Sequence, residues 1–109
     1  MTLSSSHAND LFLVEGTQKA SSLLKAISNE HRLLVLCLLI EQGEMTVGEI
    51  QQRVTISQSS LSQHLAKMRE EGLVAYRRES QTLHYRIDNP DVEKIIALLK
   101  TIFNPLPSN

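Results

Sequence analysis

Residues 46–73 of the chain read TVGEIQQRVTISQSSLSQHLAKMREEGL, and this stretch decides the fold. Thr46 followed three residues later by Glu49 is a capping-box pattern, which predicts a short helix that runs to about Val54. After a tight turn, Ser57 can cap a second helix. The stretch therefore predicts two short helices joined by a three-residue turn.

The second helix carries the clearest pattern in the chain. Leu61, Leu65 and Met68 follow one another at helical spacing and form one apolar stripe. Gly72 stands where a helix end favours the left-handed backbone conformation, and Leu73 follows it as the apolar residue of the same end motif. Because the signals at both ends agree with the stripe between them, this helix is the best-defined element of the sequence.

A β-hairpin and a terminal helix are predicted after this pair. Residues 73–78 and 83–87 alternate as two strands would, with a polar four-residue tip at residues 79–82. Asn89-Pro90 ends the hairpin, and proline suits the first position of a helix. The terminal helix carries one apolar stripe, made of Val92, Ile95, Ile96, Leu99, Ile102 and Phe103.

Further helices are predicted before the pair. Apolar residues between positions 11 and 27 allow one or two helical pieces, broken near Gly16. Ser28 or Asn29 can cap the next helix, whose leucine-rich run at residues 33–40 predicts burial nearly all round. The expected fold is mainly α with a small β-hairpin, a winged helix-turn-helix of five to six helices.

Length and composition exclude several classes of protein. A chain of 109 residues fits one domain, expected at residues 11–104 between a disordered tail at 1–10 and a short tail at 105–109. No segment resembles a signal peptide, and the longest apolar run has eight residues, far below the roughly 20 of a membrane helix. We therefore expect a cytoplasmic protein without membrane contact.

The polar face of the second helix is suited to double-stranded DNA. Most side chains of this face are short, and none is acidic. Gln63 can form two hydrogen bonds with one base edge. His64 points partly inward, which favours packing or a phosphate contact over base reading. The full set of predicted DNA contacts is Gln58, Ser59, Ser60, Ser62, Gln63, His64, Lys67, Arg77, Arg78, Gln81, Thr82 and Arg86.

The distribution of charge agrees with a DNA partner. The whole chain has a net charge of −1, but residues 57–86 contain five basic and three acidic side chains, a local charge of +2. Hairpin arginines are suited to the DNA backbone or the minor groove.

A winged-helix module for protein contact is the alternative function. An enzyme is not expected, because the sequence has no glycine-rich phosphate loop and no pairing of a nucleophile with a base.

Residues 24–103 resemble the ArsR/SmtB winged-helix repressors, and most of all their HlyU/BigR-like branch. The matching stretches are LLKAISNEHRLLVLCLL, SQSSLSQHL followed by EEGLV, and the wing YRRESQTLHYRI. The resemblance implies a homodimer that binds an inverted repeat, as a repressor or as an activator that displaces a silencing nucleoid protein. It implies dimerisation through the first and last helices, at Leu23, Leu24, Ile27, Val92, Ile95, Ile96, Leu99, Ile102 and Phe103.

Metal sensing, which the resemblance would allow, is not expected. Thr46 and Gly48 occupy the two cysteine positions of the arsenic-type site. The last helix has Asp91 and Glu93 but no histidine for a zinc-type site, and carboxylates there favour the helix N-terminus. We therefore expect no transition metal and no other cofactor.

Cys37 is the one candidate sensor residue. A free cysteine in a buried helix behaves as a small core residue with an inert thiol. The resemblance implies a second cysteine at the position of Asn104, joined to the first by oxidants or reactive sulfur, and this chain cannot form that link. A lone thiol can still become a sulfenic acid or a persulfide. Both interpretations of Cys37, as a core residue and as a sensor, stay open.

Overall fold

A computed structural model describes residues 10–104 and shows five α-helices and three strands within them. The expected tails at 1–9 and 105–109 lie outside the described residues, while Asp10 already belongs to a helix. A π-helical turn at Phe12–Gly16 leads into the ordered elements. These are α1 (Thr17–Ile27), α2 (Glu30–Gln42), β1 (Met45–Thr46), α3 (Val47–Gln51), α4 (Gln58–Glu70), β2 (Val74–Glu79), β3 (Thr82–Ile87) and α5 (Pro90–Phe103).

The helix-turn-helix has the end motifs that its sequence predicts. The Thr46 side chain accepts from the backbone N–H of Glu49 at 3.1 Å, and the Glu49 carboxylate accepts from the backbone N–H of Thr46 at 2.8 Å. Ser57 caps α4 by accepting from the backbone N–H of Ser60. The first helix of the pair, α3, however, ends at Gln51 and not near Val54, because the chain tightens into a turn before the buried Val54.

The end of α4 sets the direction of the wing. Gly72 has a φ of +78°, which L-residues with a side chain rarely adopt. In this conformation the N–H groups of Gly72 and Leu73 donate to the carbonyls of Arg69 and Met68, at 3.0 and 2.9 Å. The chain therefore leaves the helix directly into β2.

The turn of the wing is tighter than the sequence pattern predicts. Glu79 pairs with Thr82, so the loop has two residues and the prediction of a four-residue tip is wrong. The backbone turns that tightly because Ser80 adopts a φ of +60°. β1 is too short to show an alternating pattern and was not predicted; it adds a third strand by pairing Met45 with Tyr85, in the order β1-β3-β2.

The N-terminal helices also differ in detail from the prediction. The chain stays helical through Gly16 instead of breaking there. Asn29, not Ser28, caps α2 by accepting from the backbone N–H groups of two following residues. α2 is buried on most of its surface, although Leu34 is exposed, and α1 is buried only at its end. The core is made of Ala26, Ile27, Val35, Leu36, Leu38, Leu39, Met45, Ile50, Val54, Leu61, Leu65, Met68, Leu73, Val74, Tyr85, Val92 and Ile96.

Candidate nucleic-acid interface

The exposed face of α4 is polar and free of acidic side chains over its first three turns. The apolar stripe predicted for this helix is buried, so the opposite side chains Ser59, Ser62, Gln63 and Lys67 face solvent. No acidic residue occurs between Glu49 and Glu70 in the sequence. A helix with short polar side chains at its N-terminal half can approach base edges in a major groove closely.

The other predicted contacts on α4 lie in different surroundings. Gln58 is exposed beside the cap. Ser60 is half-buried, and its hydroxyl is 3.1 Å from the hydroxyl of Ser57, so it belongs to the cap of the helix. His64 is half-buried and accepts a hydrogen bond at Nδ1 from Nε of Arg32, at 3.1 Å. The structure therefore gives Ser60 and His64 intramolecular partners, whereas the Gln63 side chain has none among residues 10–104.

The two adjacent arginines of the wing have different roles. Arg77 donates from Nε and Nη2 to both carboxylate oxygens of Glu44, at 2.9 to 3.1 Å, and so fixes β2 to the residue before β1. These hydrogen bonds hold the pKa of Glu44 below its usual value. Arg78 is exposed and forms no ion pair within residues 10–104. Only Arg78 of this pair is therefore free for a phosphate.

The remaining predicted contacts of the wing are at the surface. Gln81, Thr82 and Arg86 are exposed, and Arg86 forms no ion pair within the described part of the chain. The ring nitrogen Nε2 of His84 lies 3.4 Å from the carboxylate of Glu79, across the strand pair. The free cations of the interface are thus Arg78, Arg86 and Lys67 of α4.

Arg69 links α4 to the wing, a contact that the sequence did not predict. Its guanidinium donates to the hydroxyl of Tyr76 at 3.0 Å and lies 5.1 Å from the centre of the same ring. Tyr76 packs against Tyr85 across the strand pair, with ring centres 5.4 Å apart. This arginine–tyrosine contact is a second link between α4 and the wing, in addition to the end motif at Gly72.

Cys37 faces an apolar cavity and not a closed core. It is half-buried and lines a cavity of about 440 Å³ between α2 and α5, together with Leu33, Ile96, Leu99 and Phe103. Burial raises the pKa of the Cys37 thiol, while the charge of Lys100 opposes this effect. Lys100 is paired with Glu41 at 3.1 Å, and both side chains also line the cavity. The thiol is therefore protonated at neutral pH but accessible from one side.

The residues predicted for a dimer interface separate into three groups. Ile27, Val92 and Ile96 are buried in the core of the protomer and offer no surface to a partner. Leu23, Ile95 and Leu99 are half-buried, while Leu24, Ile102 and Phe103 are exposed. Among residues 10–104, the prediction omitted six further exposed apolar side chains: Leu11, Phe12, Leu13, Val14, Leu34 and Leu98. An apolar stripe with a period of 3.6 residues shows that one side of a helix is apolar. It does not show which of those side chains are already buried within the protomer.

Among residues 10–104, no group of three or more histidine, cysteine, aspartate or glutamate side chains is arranged to hold a metal ion. No helix in the same range is both long and apolar enough to cross a membrane.

Comparison with known proteins identifies the family. Residues 29–76 match the sequence profile described as bacterial regulatory protein, arsR family. The transcriptional activator HlyU of Vibrio cholerae is 45% identical over 82% of this chain and 82% of its own. The biofilm growth-associated repressor of Xylella fastidiosa is 39% identical over 78% of this chain and 74% of its own. The solved structure of reduced HlyU from Vibrio cholerae has a TM-score of 0.79 at 43% identity, and the match covers 85% of this chain and 97% of that one. The chain therefore belongs to the arsR family of bacterial regulatory proteins and is a DNA-binding regulator of transcription.

Proposed function

We propose that this protein acts in the bacterial cytoplasm as a homodimer on an inverted-repeat operator, with a binding and not a catalytic role. α4 of each protomer enters a major groove, and the wing lies along the neighbouring backbone. The observation that carries this proposal is the exposed, acid-free side of α4, where Ser59, Ser62 and Gln63 are held on a helix with a capped start. Two-fold symmetry places the two half-sites about 34–36 Å apart, one turn of DNA.

Three free cations in each protomer supply the phosphate contacts of this proposal. Lys67, Arg78 and Arg86 are exposed and form no ion pair within residues 10–104. Each phosphate that a protein neutralises releases counterions, so the affinity falls with salt. Six such contacts in a dimer predict a slope of about −5 in a plot of log K against log salt concentration.

The proposed dimer rests on the apolar surface that one protomer leaves uncovered. Leu24 of α1 and Leu98, Ile102 and Phe103 of α5 are 54 to 73% exposed. This exposed apolar surface supports a protomer whose first and last helices pack against a second copy.

A selection experiment tests the proposed function. The purified full-length protein selects duplexes from a random library, and fluorescence anisotropy then measures affinity for the selected duplex at several salt concentrations. We expect an inverted repeat with half-sites one turn apart, one dimer bound per duplex, and a steep salt slope. If no sequence is enriched and no duplex binds even at low salt, a module for protein contact takes the place of this proposal.

The direction of regulation depends on where the operator lies. One relative is described as an activator and another as a repressor, so the same fold accompanies both outcomes. We propose repression where the operator overlaps a promoter. Activation by displacement of a silencing nucleoid protein is the alternative. Transcription in vitro from a promoter with the selected operator placed over it should decrease as the protein is added.

A redox response at Cys37 is a second candidate function, supported by the open cavity that the thiol faces. Hydrogen peroxide would convert the thiol into a sulfenic acid and release water. Polysulfide is the other reagent to compare: the Cys37 sulfur would attack one of its sulfur atoms, an S–S bond of the polysulfide would break, and a shorter polysulfide would leave while Cys37 becomes a persulfide. Anisotropy on the selected duplex should change after treatment in the wild type but not in Cys37→Ser. Equal binding before and after treatment in both proteins would assign Cys37 to packing alone.

A further inference from the structure

The guanidinium group of Arg32 connects three helices, because it extends from α2 and contacts both α1 and α4. Arg32, near the start of α2, donates from Nε to Nδ1 of His64 at 3.1 Å and from Nη1 to the carbonyl oxygen of Ala26 at 2.8 Å. The same Nη1 lies 3.5 Å from a carboxylate oxygen of Glu71. Arg32 therefore contacts the end of α1, the middle of α4 and the residue that follows α4.

We propose that Arg32 and His64 are a positioning pair for DNA recognition, and that DNA binding requires the hydrogen bond between them. This inference rests on the proposed entry of α4 into the major groove. His64 directly follows Gln63 and lies one turn before Lys67. A rotation of α4 that breaks the bond at His64 would therefore also move both of these side chains. Contacts with base edges tolerate only small errors of position and angle, because their hydrogen bonds are directional.

The bond requires an unprotonated Nδ1. A guanidinium can only donate hydrogen bonds, so the imidazole must accept, and a doubly protonated imidazolium has no acceptor left. Protonation would also place a second positive charge against Arg32. Burial, the charge of Arg32 and the charge of His31 all lower the pKa of His64, in that order of size. At neutral pH the ring is therefore neutral and the bond is intact.

The charged and titratable groups around His64 come from two elements. His31 and Arg32 of α2 face it, and the ring of His31 is centred 6.2 Å away. Glu71, after α4, faces the guanidinium. Because both groups from α2 oppose a charge on His64, its ring should take up a proton, and the contact should break, at a lower pH than an exposed histidine titrates.

A phosphate contact by His64 predicts the opposite response to acid. A protonated histidine near a phosphate would strengthen DNA binding, and the rising positive charge of the whole protein acts in the same direction. The positioning pair predicts that acidification weakens binding instead. The sign of the pH dependence therefore separates the two roles.

The test measures the affinity of the full-length protein for its selected duplex between pH 8 and pH 5, at constant ionic strength. We expect the wild type to lose about tenfold in affinity as His64 becomes protonated, the size typical of a hydrogen bond to a charged group. His64→Asn places an amide oxygen near the position of Nδ1 and does not titrate. It should bind like the wild type at neutral pH and show no loss in acid.

Three further variants and one NMR titration control for other causes. His84→Gln should keep the acid loss of the wild type, and His31→Gln should keep its size but move its midpoint to higher pH, because the charge of His31 lowers the pKa of His64. Arg32→Lys keeps the charge but not the forked geometry, and should bind more weakly at neutral pH with a flatter pH profile. Nitrogen NMR of the wild-type histidines needs no substitution. The titration midpoint of His64 should coincide with the midpoint of the binding loss.

Several results would overturn the inference. A wild-type affinity that stays constant or rises in acid contradicts it, as does an acid loss that persists in His64→Asn. Separate midpoints for the NMR titration and the binding loss also contradict it. If the wild type binds its selected duplex, each of these results leaves the proposed function intact. A wild type that selects no duplex overturns the proposed function, and this inference with it.

Discussion

Ile96 and Leu98 lie two residues apart on α5 and face opposite sides of the helix. The side chain of Ile96 is 1% exposed, in the core of its own protomer, whereas that of Leu98 is 60% exposed. α5 therefore has an inner apolar side that the protomer covers and an outer apolar side that it leaves open. Only the outer side is available to a second copy of the chain.

Leu98→Glu should separate the dimer without unfolding the protomer, because the substituted side chain already faces solvent. We expect sedimentation velocity to show monomers and the far-ultraviolet circular dichroism spectrum to remain that of a helical protein. Ile96→Glu is the matched control. It buries an unpaired charge, which costs several kcal/mol, and should unfold the protomer. A dimer that survives Leu98→Glu at micromolar concentration would exclude the outer side of α5 from the interface.

Gln63→Ala should relax the preference for one base position by roughly 1–3 kcal/mol, since the variant loses two hydrogen bonds to one base edge. The measurement compares affinities for duplexes that carry each of the four base pairs at every position of a half-site. Gln18→Ala, on the exposed surface of α1, should leave the preferences unchanged. If all positions discriminate equally well before and after the change at Gln63, this side chain does not read a base.

Arg78→Ala should weaken binding to every sequence and flatten the salt slope by about 2 per dimer, one phosphate contact for each protomer. Arg77→Ala is the internal comparison, because its guanidinium is already bound to Glu44 at 2.9 Å. We expect it to change the slope much less. Equal slopes for Arg78→Ala and the wild type would remove Arg78 from the phosphate contacts.

The sequence predicted the elements whose signals are local. The capping box at Thr46 and Glu49, the stripe of α4 and the left-handed Gly72 all depend on residues a few positions apart. The two-residue turn and β1 were missed. A serine with positive φ has no distinctive sequence signal, and a strand of two residues is too short for a period.

The missed parts of the site depend on residues far apart in the chain. Arg32 and His64 are separated by 32 positions, and Arg77 and Glu44 by 33. No period or motif in one sequence indicates such pairs. For the same reason an arginine count could suggest a basic wing but could not show that Arg77 is neutralised inside the protomer while Arg78 is free.

Gly72→Ala should destabilise the protein by roughly 1–2 kcal/mol, because an L-residue is strained at a φ of +78° even though the added Cβ would meet no atom within 4 Å. Gly48→Ala is the opposite control. Gly48 lies within α3, and the nearest atom to an added Cβ would be 3.9 Å away. We expect that change to stabilise the protein by about 0.5–1 kcal/mol. Urea unfolding would measure both, and a stabilising Gly72→Ala would contradict the strain argument.

The ion pair between Glu44 and Arg77 should appear as a pH-dependent part of the stability. Hydrogen bonds from Arg77 lower the pKa of Glu44 in the folded protein, so the unfolded chain takes up the proton first as the pH falls. The stabilisation is complete above the unfolded value of about 4.3 and is lost as the pH falls through the lower folded pKa. Glu44→Gln lacks this contribution throughout. Urea unfolding between pH 7 and pH 3 should therefore show a difference between wild type and variant that shrinks in acid and in high salt. Parallel curves over the whole range would mean that the pair adds nothing to folding and serves only to orient the wing.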